Sequence, residues 1–150
     1  MSMGTQTMTD QDWDNGISVI VPTYKRPQGI KTALESLMTQ NPQGRALEII
    51  VADNDPAASA KDYVETFSKT AAIETIYIHV PEPGVSNARN GAMAAARGRY
   101  RAFLDDDMEA TKGWLGALMD TLTSCKAGVC FGPIDAVMPN IENPLDAHMQ

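Results

Sequence analysis

Short apolar runs alternate with amphipathic stretches along this chain, and that rhythm constrains the fold more than any other feature. The runs are "ISVIVP" (17–22), "ALEIIVAD" (46–53), "IETIYIHV" (73–80), "YRAFLD" (100–105) and "GVCFGPI" (128–134). Their lengths and β-branched content predict buried strands. Between them, Ile30, Ala33, Leu34, Leu37 and Met38 recur at helical spacing, as do Tyr63, Val64 and Phe67 after Ser59, a candidate N-cap. "SNARNGAMAAARG" (86–98) predicts a helix with a small-residue face ended by Gly98. Trp114, Leu115, Leu118, Met119 and Leu122 mark a further helix over 112–124. Continuous apolar strands imply a sheet covered on both faces. The expectation is therefore an α/β fold: a three-layer α/β/α sandwich around a mostly parallel sheet, with right-handed crossovers.

With 150 residues, 43% of them apolar, the chain suits one domain with a real core, expected over 16–135. Residues 1–15 read as a flexible tail and 136–150 as an irregular segment. The formal charge of −7 argues against nucleic acid or anionic lipid as partners, since both demand a basic face. Cys125 and Cys130 lack a second pair of ligands for zinc and read as buried thiols of a reducing compartment. The first residues show no basic-then-apolar leader, and no run is long enough to span a bilayer. The expected place is cytoplasmic, or at the cytoplasmic face of a membrane.

Open parallel sheets bind ligands at the carboxyl ends of their strands. Here those ends carry "PTYKRP" (22–27), "ADNDP" (52–56), "VPEPGVSNARN" (80–90) and "LDDDM" (104–108). They gather Tyr24, Lys25, Arg26, Asp53, Asn54, Asp55, Arg89, Asn90, Asp105, Asp106 and Asp107 at one edge. Acids, amides, cations and one aromatic ring together suit a nucleotide better than an apolar metabolite. Asp53 emerges directly from its strand and reads as a base ligand; Asp55 reads as an Asx turn. Tyr24 offers a ring for stacking. Lys25 and Arg26 read equally well as solvated cations or as ligands. "SNARN" reads either as an N-cap at Ser86 or as a ligand-facing first turn, and His79 as a strand-face residue.

The acid triplet raises a physical problem. If strand geometry persisted through residue 107, Asp105 and Asp107 would share one side and Asp106 the other. Two like charges about 4 Å apart repel by roughly 4 kcal/mol near a protein surface. Hard oxygen donors of this kind suit Mg²⁺ or Mn²⁺, completed by substrate phosphates. The plain alternative is a solvated turn favouring the N-terminus of the following helix. An EF-hand is excluded, because its alternating acids and central Gly are missing.

With these pieces assembled, the chain resembles glycosyltransferase family 2, the nucleotide-sugar-binding half of a GT-A fold. The resemblance runs over roughly 17–134 through "ISVIVPTYKRP", "LEIIVADND", "GVSNARNGAMAAARGRYRAFLDDDM" and "GWL", in that order. It implies a transferase using a nucleoside-diphosphate sugar, most often a UDP-sugar, with Mn²⁺ or Mg²⁺, acting with inversion on an unidentified carbohydrate or lipid-linked acceptor. By position, Thr23 and Tyr24 would lie beside the nucleoside, and Asp53 with Asn54 at the base edge. Arg89 and Asn90 would line the ribose and diphosphate. Asp105 and Asp107 would form the D-x-D motif around Asp106, with Asp107 the direct metal ligand and Asp105 on the ribose or acting through water.

The sequence also departs from the family. Members usually continue for about another hundred residues, the half that holds the acceptor site and general base. The acids after residue 130 (Asp135, Glu142, Asp146) stand in no recognisable base motif, and Pro56 replaces a small polar residue. A truncated, non-catalytic nucleotide-binding module is therefore the alternative expectation. A nucleotidyltransferase would want a Gly-rich basic loop after strand one; a phosphate-loop NTPase and a Rossmann dehydrogenase lack their signatures here.

Overall fold

The computed structural model describes residues 10–124 and 128. Along the chain run α1 (Asp10–Trp13), β1 (Ile17–Thr23), α2 (Pro27–Leu37), β2 (Leu47–Asp53), α3 (Lys61–Thr70), β3 (Glu74–His79), α4 (Val85–Ala95), β4 (Tyr100–Phe103) and α5 (Trp114–Ser124). The four strands form one parallel sheet in the order β3-β2-β1-β4. The α/β expectation is met. Two compact units are distinguished, Met1–Ala117 and Leu118–Gln150, and everything that follows concerns the first. The expected fifth strand beyond Gly128, both cysteines, the three late acids and segment 136–150 lie outside the described residues.

The sheet is central because its strands are apolar on both faces. All of β1 and all but the first residue of β2 are buried. Right-handed crossovers place α2 and α3 on one face and α4 on the other, since the chain reverses direction across the sheet after β3. On the α4 side, Ala88 and Ala92 are fully buried against Ile20, Ile50 and Ala52. The small residues let helix backbone approach sheet closely; the isoleucines contribute about 1.5–3 kcal/mol each by burial.

Several local expectations need correction. The segment assigned to a tail is structured from Asp10, and Trp13 is only 6% exposed. Its carbonyl accepts the amides of Gly16 and Arg99, and its ring lies 4.2 Å from the Arg97 guanidinium. A buried indole supplies enough apolar area to fix a short segment. Ser59 is not the cap of α3; Ala60 is, without a side-chain bond, because the Ser59 hydroxyl is bonded to Asp55. Gly84 rather than Ser86 caps α4, at φ 115°, a conformation that favours glycine. That helix stops at Ala95, before Gly98.

At the amino-terminal edge of the sheet sits a buried carboxylate. Glu48 is fully buried and accepts bonds from the Ser18 hydroxyl (2.7 Å) and the Arg97 amide (2.8 Å). Arg97 Nε and Nη2 reach its second oxygen at 2.8 and 2.7 Å, and Nη2 also meets Glu74 at 2.6 Å. Burial alone would lower the Arg97 pKa; its bonds to Glu48 and Glu74 outweigh that and raise it.

Candidate functional site: a cleft at the switch point of the sheet

Strands β1 and β4 are neighbours, while the chain leaves β1 toward β2 on the other side. Their carboxyl ends therefore frame the crevice where open α/β sheets bind ligands. A cleft of about 650 Å³ opens there, within the range of small-molecule and cofactor sites. Thr23, Tyr24 and Arg26 line it from the end of β1 and the loop after it, Asn54 and Pro56 from the loop after β2, and Arg89 from α4. All three aspartates line it as well, together with an apolar wall of Pro81, Pro83, Gly84 and Val85.

Strand geometry does not persist into the acid triplet, and the turn alternative holds. β4 ends at Phe103, and the Met108 amide bonds back to the Asp105 carbonyl at 3.0 Å, closing a turn. The turn gives each of the three carboxylates its own set of partners, with Arg26 shared by two of them. Asp105 pairs with Arg89 Nη2 at 3.1 Å. Asp106 accepts the Thr23 hydroxyl (2.9 Å) and the Tyr24 amide (3.3 Å), so it ties the exit of β1 to the exit of β4. Arg26 bridges Asp106 (3.9 Å) and Asp107 (3.5 Å). Two arginines thus offset the repulsion expected among the acids. The side chains grade from 12% exposed at Asp106 through 39% at Asp105 to 55% at Asp107. Asp107 is the most accessible of the three.

The close seating of this turn depends on Gly29, in the first turn of α2. A Cβ there would overlap the Asp106 carbonyl oxygen, so the helix start and the acid turn meet only because the residue is glycine.

Asp53 requires a different account from the one the sequence suggested. It is fully buried and does not line the cleft. One oxygen accepts the Asp55 amide at 3.0 Å; the other accepts the Ala60 amide at 3.0 Å and the Tyr77 hydroxyl at 2.8 Å. A carboxylate leaving a buried strand must be satisfied at once, and the backbone of the next loop does this. Asp53 shapes the loop after β2 through these bonds. Burial, then the bond to Asp53, raises the Tyr77 pKa far above its ordinary value.

Asn54 does border the cleft, yet its amide is engaged within the protein. It donates to the carbonyls of Val80 (2.8 Å) and Glu82 (2.7 Å) and accepts the Gly84 amide (3.1 Å). One side chain therefore pins the whole apolar wall. Asp55 forms the expected Asx turn, accepting the Ala57 amide at 3.0 Å. The Ser59 hydroxyl and then that amide hold its carboxyl below the ordinary carboxylate range.

Of the residues singled out in the sequence, Thr23, Tyr24, Asn54, Arg89, Asp105, Asp106 and Asp107 meet at one cleft. Asn90 is exposed and does not line it. Tyr24 is half exposed, with Lys25 Nζ 5.2 Å from its ring centre. Arg26, left open between solvent and ligand, is engaged with the acids. Sequence reasoning missed the tie from Thr23 to Asp106 and the proline wall, although "PEPGV" offered the cue in its alternating prolines.

The donor set accords with a hard divalent cation. Among the described residues no three His, Cys, Asp or Glu side chains converge. The protein can offer Asp105 and Asp107 from one turn, and Mg²⁺ commonly takes just one or two carboxylates plus phosphate and water. Arg89 Nε, buried at the cleft without a partner among the described residues, is a donor still to be satisfied.

Comparison with known proteins agrees with this geometry. The chain is 37% identical over 121 residues to the succinoglycan biosynthesis protein ExoM of Rhizobium meliloti (strain 1021), covering 80% of this chain and 39% of that protein. Among solved structures, S. aureus TarS 1-349 in complex with UDP-GlcNAc superposes with TM-score 0.59 at 26% identity, covering 73% of this chain and 31% of that one. The mannosyltransferase PcManGT of Pyrobaculum calidifontis, in complex with GDP-Man and Mn²⁺, shares the fold with TM-score 0.64 at 22% identity, covering 78% and 35%. This chain thus spans about two fifths of the ExoM length and about a third of the two solved chains. The Glycosyl transferase family 2 profile matches residues 18–148, and the chain belongs to that family.

Proposed function

We propose that the cleft binds a nucleoside-diphosphate sugar, a UDP-sugar by preference, for transfer to an acceptor hydroxyl with inversion at the anomeric carbon. The observation that carries this reading is the meeting of an exposed aromatic ring, two arginines and three aspartates at the switch point of the sheet. Tyr24 supplies a face for the base, and Pro22, Pro56 and Pro81 supply apolar lining. Arg89, whose side chain lines the cleft and is 41% exposed, offers its guanidinium to the diphosphate. Asp106 keeps Thr23 and Tyr24 in register with the acid turn, which orients the nucleoside relative to the phosphates.

Asp107, with Asp105, would hold Mn²⁺ or Mg²⁺ together with donor phosphates. The bound ion would neutralise charge developing on the departing nucleoside diphosphate. The acceptor hydroxyl attacks the anomeric carbon as the glycosyl–phosphate bond breaks, its proton passing to a general base. None of the described cleft residues is assigned that role. TarS was solved with UDP-GlcNAc and ExoM is named for succinoglycan biosynthesis, which supports a sugar nucleotide as donor and a carbohydrate or lipid-linked glycan as acceptor.

Thermal melting of the purified chain tests the reading. UDP together with Mn²⁺ is expected to raise Tm, whereas UDP or Mn²⁺ alone gives a much smaller change; ligand at a hundred times its Kd contributes about 2.7 kcal/mol. A melt that responds to neither the pair nor its members overturns it.

A further inference from the structure

We propose that Arg26 is a built-in counter-ion of the acid turn, displaced from Asp107 by the divalent cation and transferred to the donor diphosphate. The proposal rests on the donor-binding reading above and concerns how that site couples its two ligands. Arg26 stands 3.5 Å from Asp107 and 3.9 Å from Asp106, with its side chain 57% exposed. It precedes Pro27 at the start of α2, its side chain makes no capping bond there, and it lines the same cleft. Its carbonyl accepts the Ile30 amide at 3.0 Å, while its side chain has no polar partner other than the two acids among the described residues. Arg89 differs: its pair with Asp105 is 3.1 Å long and hydrogen-bonded.

A guanidinium and a dication repel one another at contact range, so the two compete for the Asp107 carboxylate. A cation arriving alone must compete with Arg26. When it arrives with a diphosphate, the displaced guanidinium gains new anionic oxygens at the same cleft. Cation and nucleotide are therefore coupled through Arg26, and the coupling is reciprocal: each strengthens binding of the other.

Titration of the full chain with Mn²⁺ alone, followed by the electron paramagnetic resonance signal of the free ion, tests the competition. Arg26→Ala and Arg26→Gln are expected to bind Mn²⁺ alone roughly two- to fivefold tighter than the unaltered protein, the scale of an exposed ion pair. UDP titrated calorimetrically at saturating Mn²⁺ is expected to bind these variants roughly tenfold more weakly, for want of a charged donor. A merely structural role for Arg26 would weaken both. Lys69→Ala, in the last turn of α3, removes the same charge elsewhere and is expected to leave Mn²⁺ affinity unchanged. Variants that bind Mn²⁺ no tighter, or a Lys69 variant that tightens it equally, overturn the proposal. If the unaltered protein fails to bind Mn²⁺ and UDP jointly, the donor reading falls with it; joint binding that Arg26→Ala leaves intact sinks this proposal alone.

Discussion

The two edges of the sheet are built from the same chemistry and behave in opposite ways. At the amino-terminal edge Glu48 is fully buried and accepts three hydrogen bonds and an ion-pair contact from Arg97 Nη2, none longer than 2.8 Å. At the carboxyl-terminal edge Asp105 and Asp107 keep 39% and 55% of their side chains in solvent, and the Arg26 pairs stretch to 3.5 and 3.9 Å. A buried, saturated carboxylate cannot change partner without leaving a desolvated charge behind. An exposed pair exchanges at little cost, because water replaces whatever leaves. Burial, more than residue type, separates an edge that holds the fold together from one that can receive ligands.

The sharpest way to break the contrast is to remove Glu48. Glu48→Ala leaves the Ser18 hydroxyl, the Arg97 amide and the guanidinium short of partners, and is expected to destabilise by about 3 kcal/mol in urea unfolding. The next largest effect is expected at the other edge, from Gly29→Ala. The new methyl meets the Asp106 carbonyl, so helix and acid turn must separate at a cost of about 1–3 kcal/mol. Because that turn carries the carboxylates, UDP–Mn²⁺ stabilisation should fall together with fold stability. A Gly29→Ala protein that unfolds at the original urea concentration would show that the turn yields freely.

Tyr77 sharpens the comparison within the site edge itself, where Asp53 repeats the Glu48 pattern of a buried, saturated acid. Tyr77→Phe removes one bond to Asp53 and is expected to cost about 1 kcal/mol at neutral pH. Its folded pKa lies above the ordinary 10.0, so the phenol holds its proton more tightly in the folded state. Its contribution is complete below pH 10.0 and is lost as pH rises above that value, where the unfolded chain ionises first. The stability difference between wild type and Tyr77→Phe should therefore shrink in alkaline urea titrations. A difference constant through that range would contradict the assigned burial and bond.

Much of this was legible in the sequence because it was written as periodicity. The strands β1 to β4 and helices α2 to α5 follow from apolar spacing, and the strand-end rule brought "PTYKRP", "ADND", "SNARN" and "LDDDM" to one edge. Burial beyond the strand ends was not legible. Asp53 and Asp105 look alike in sequence, each an acid following an apolar run, yet one is fully buried and the other more than a third exposed. The difference arises from partners far along the chain, Ala60 and Tyr77 for Asp53 against Arg89 for Asp105, which no local pattern encodes. Trp13 was missed for the same reason, since its cover comes from Arg97. Paired caps failed too: Ser59 and Ser86 have the right chemistry for N-caps, but Ser59 is claimed by Asp55 and the turn before α4 needs the positive φ of Gly84.

The smallest expected effect on stability is also the most informative about ligands. Asp107→Asn alters an exposed side chain whose one assigned partner is a 3.5 Å pair with Arg26, so unfolding should shift by no more than about 0.5 kcal/mol. The same substitution removes the most accessible anionic ligand of the cleft and should abolish the extra Tm gained when Mn²⁺ accompanies UDP. Fold stability and ligand response would then be carried by different carboxylates: Glu48 dominates the first and Asp107 the second. Should Asp107→Asn cost as much as Glu48→Ala, or keep the full joint response, the division of labour between the two edges would be wrong at its root.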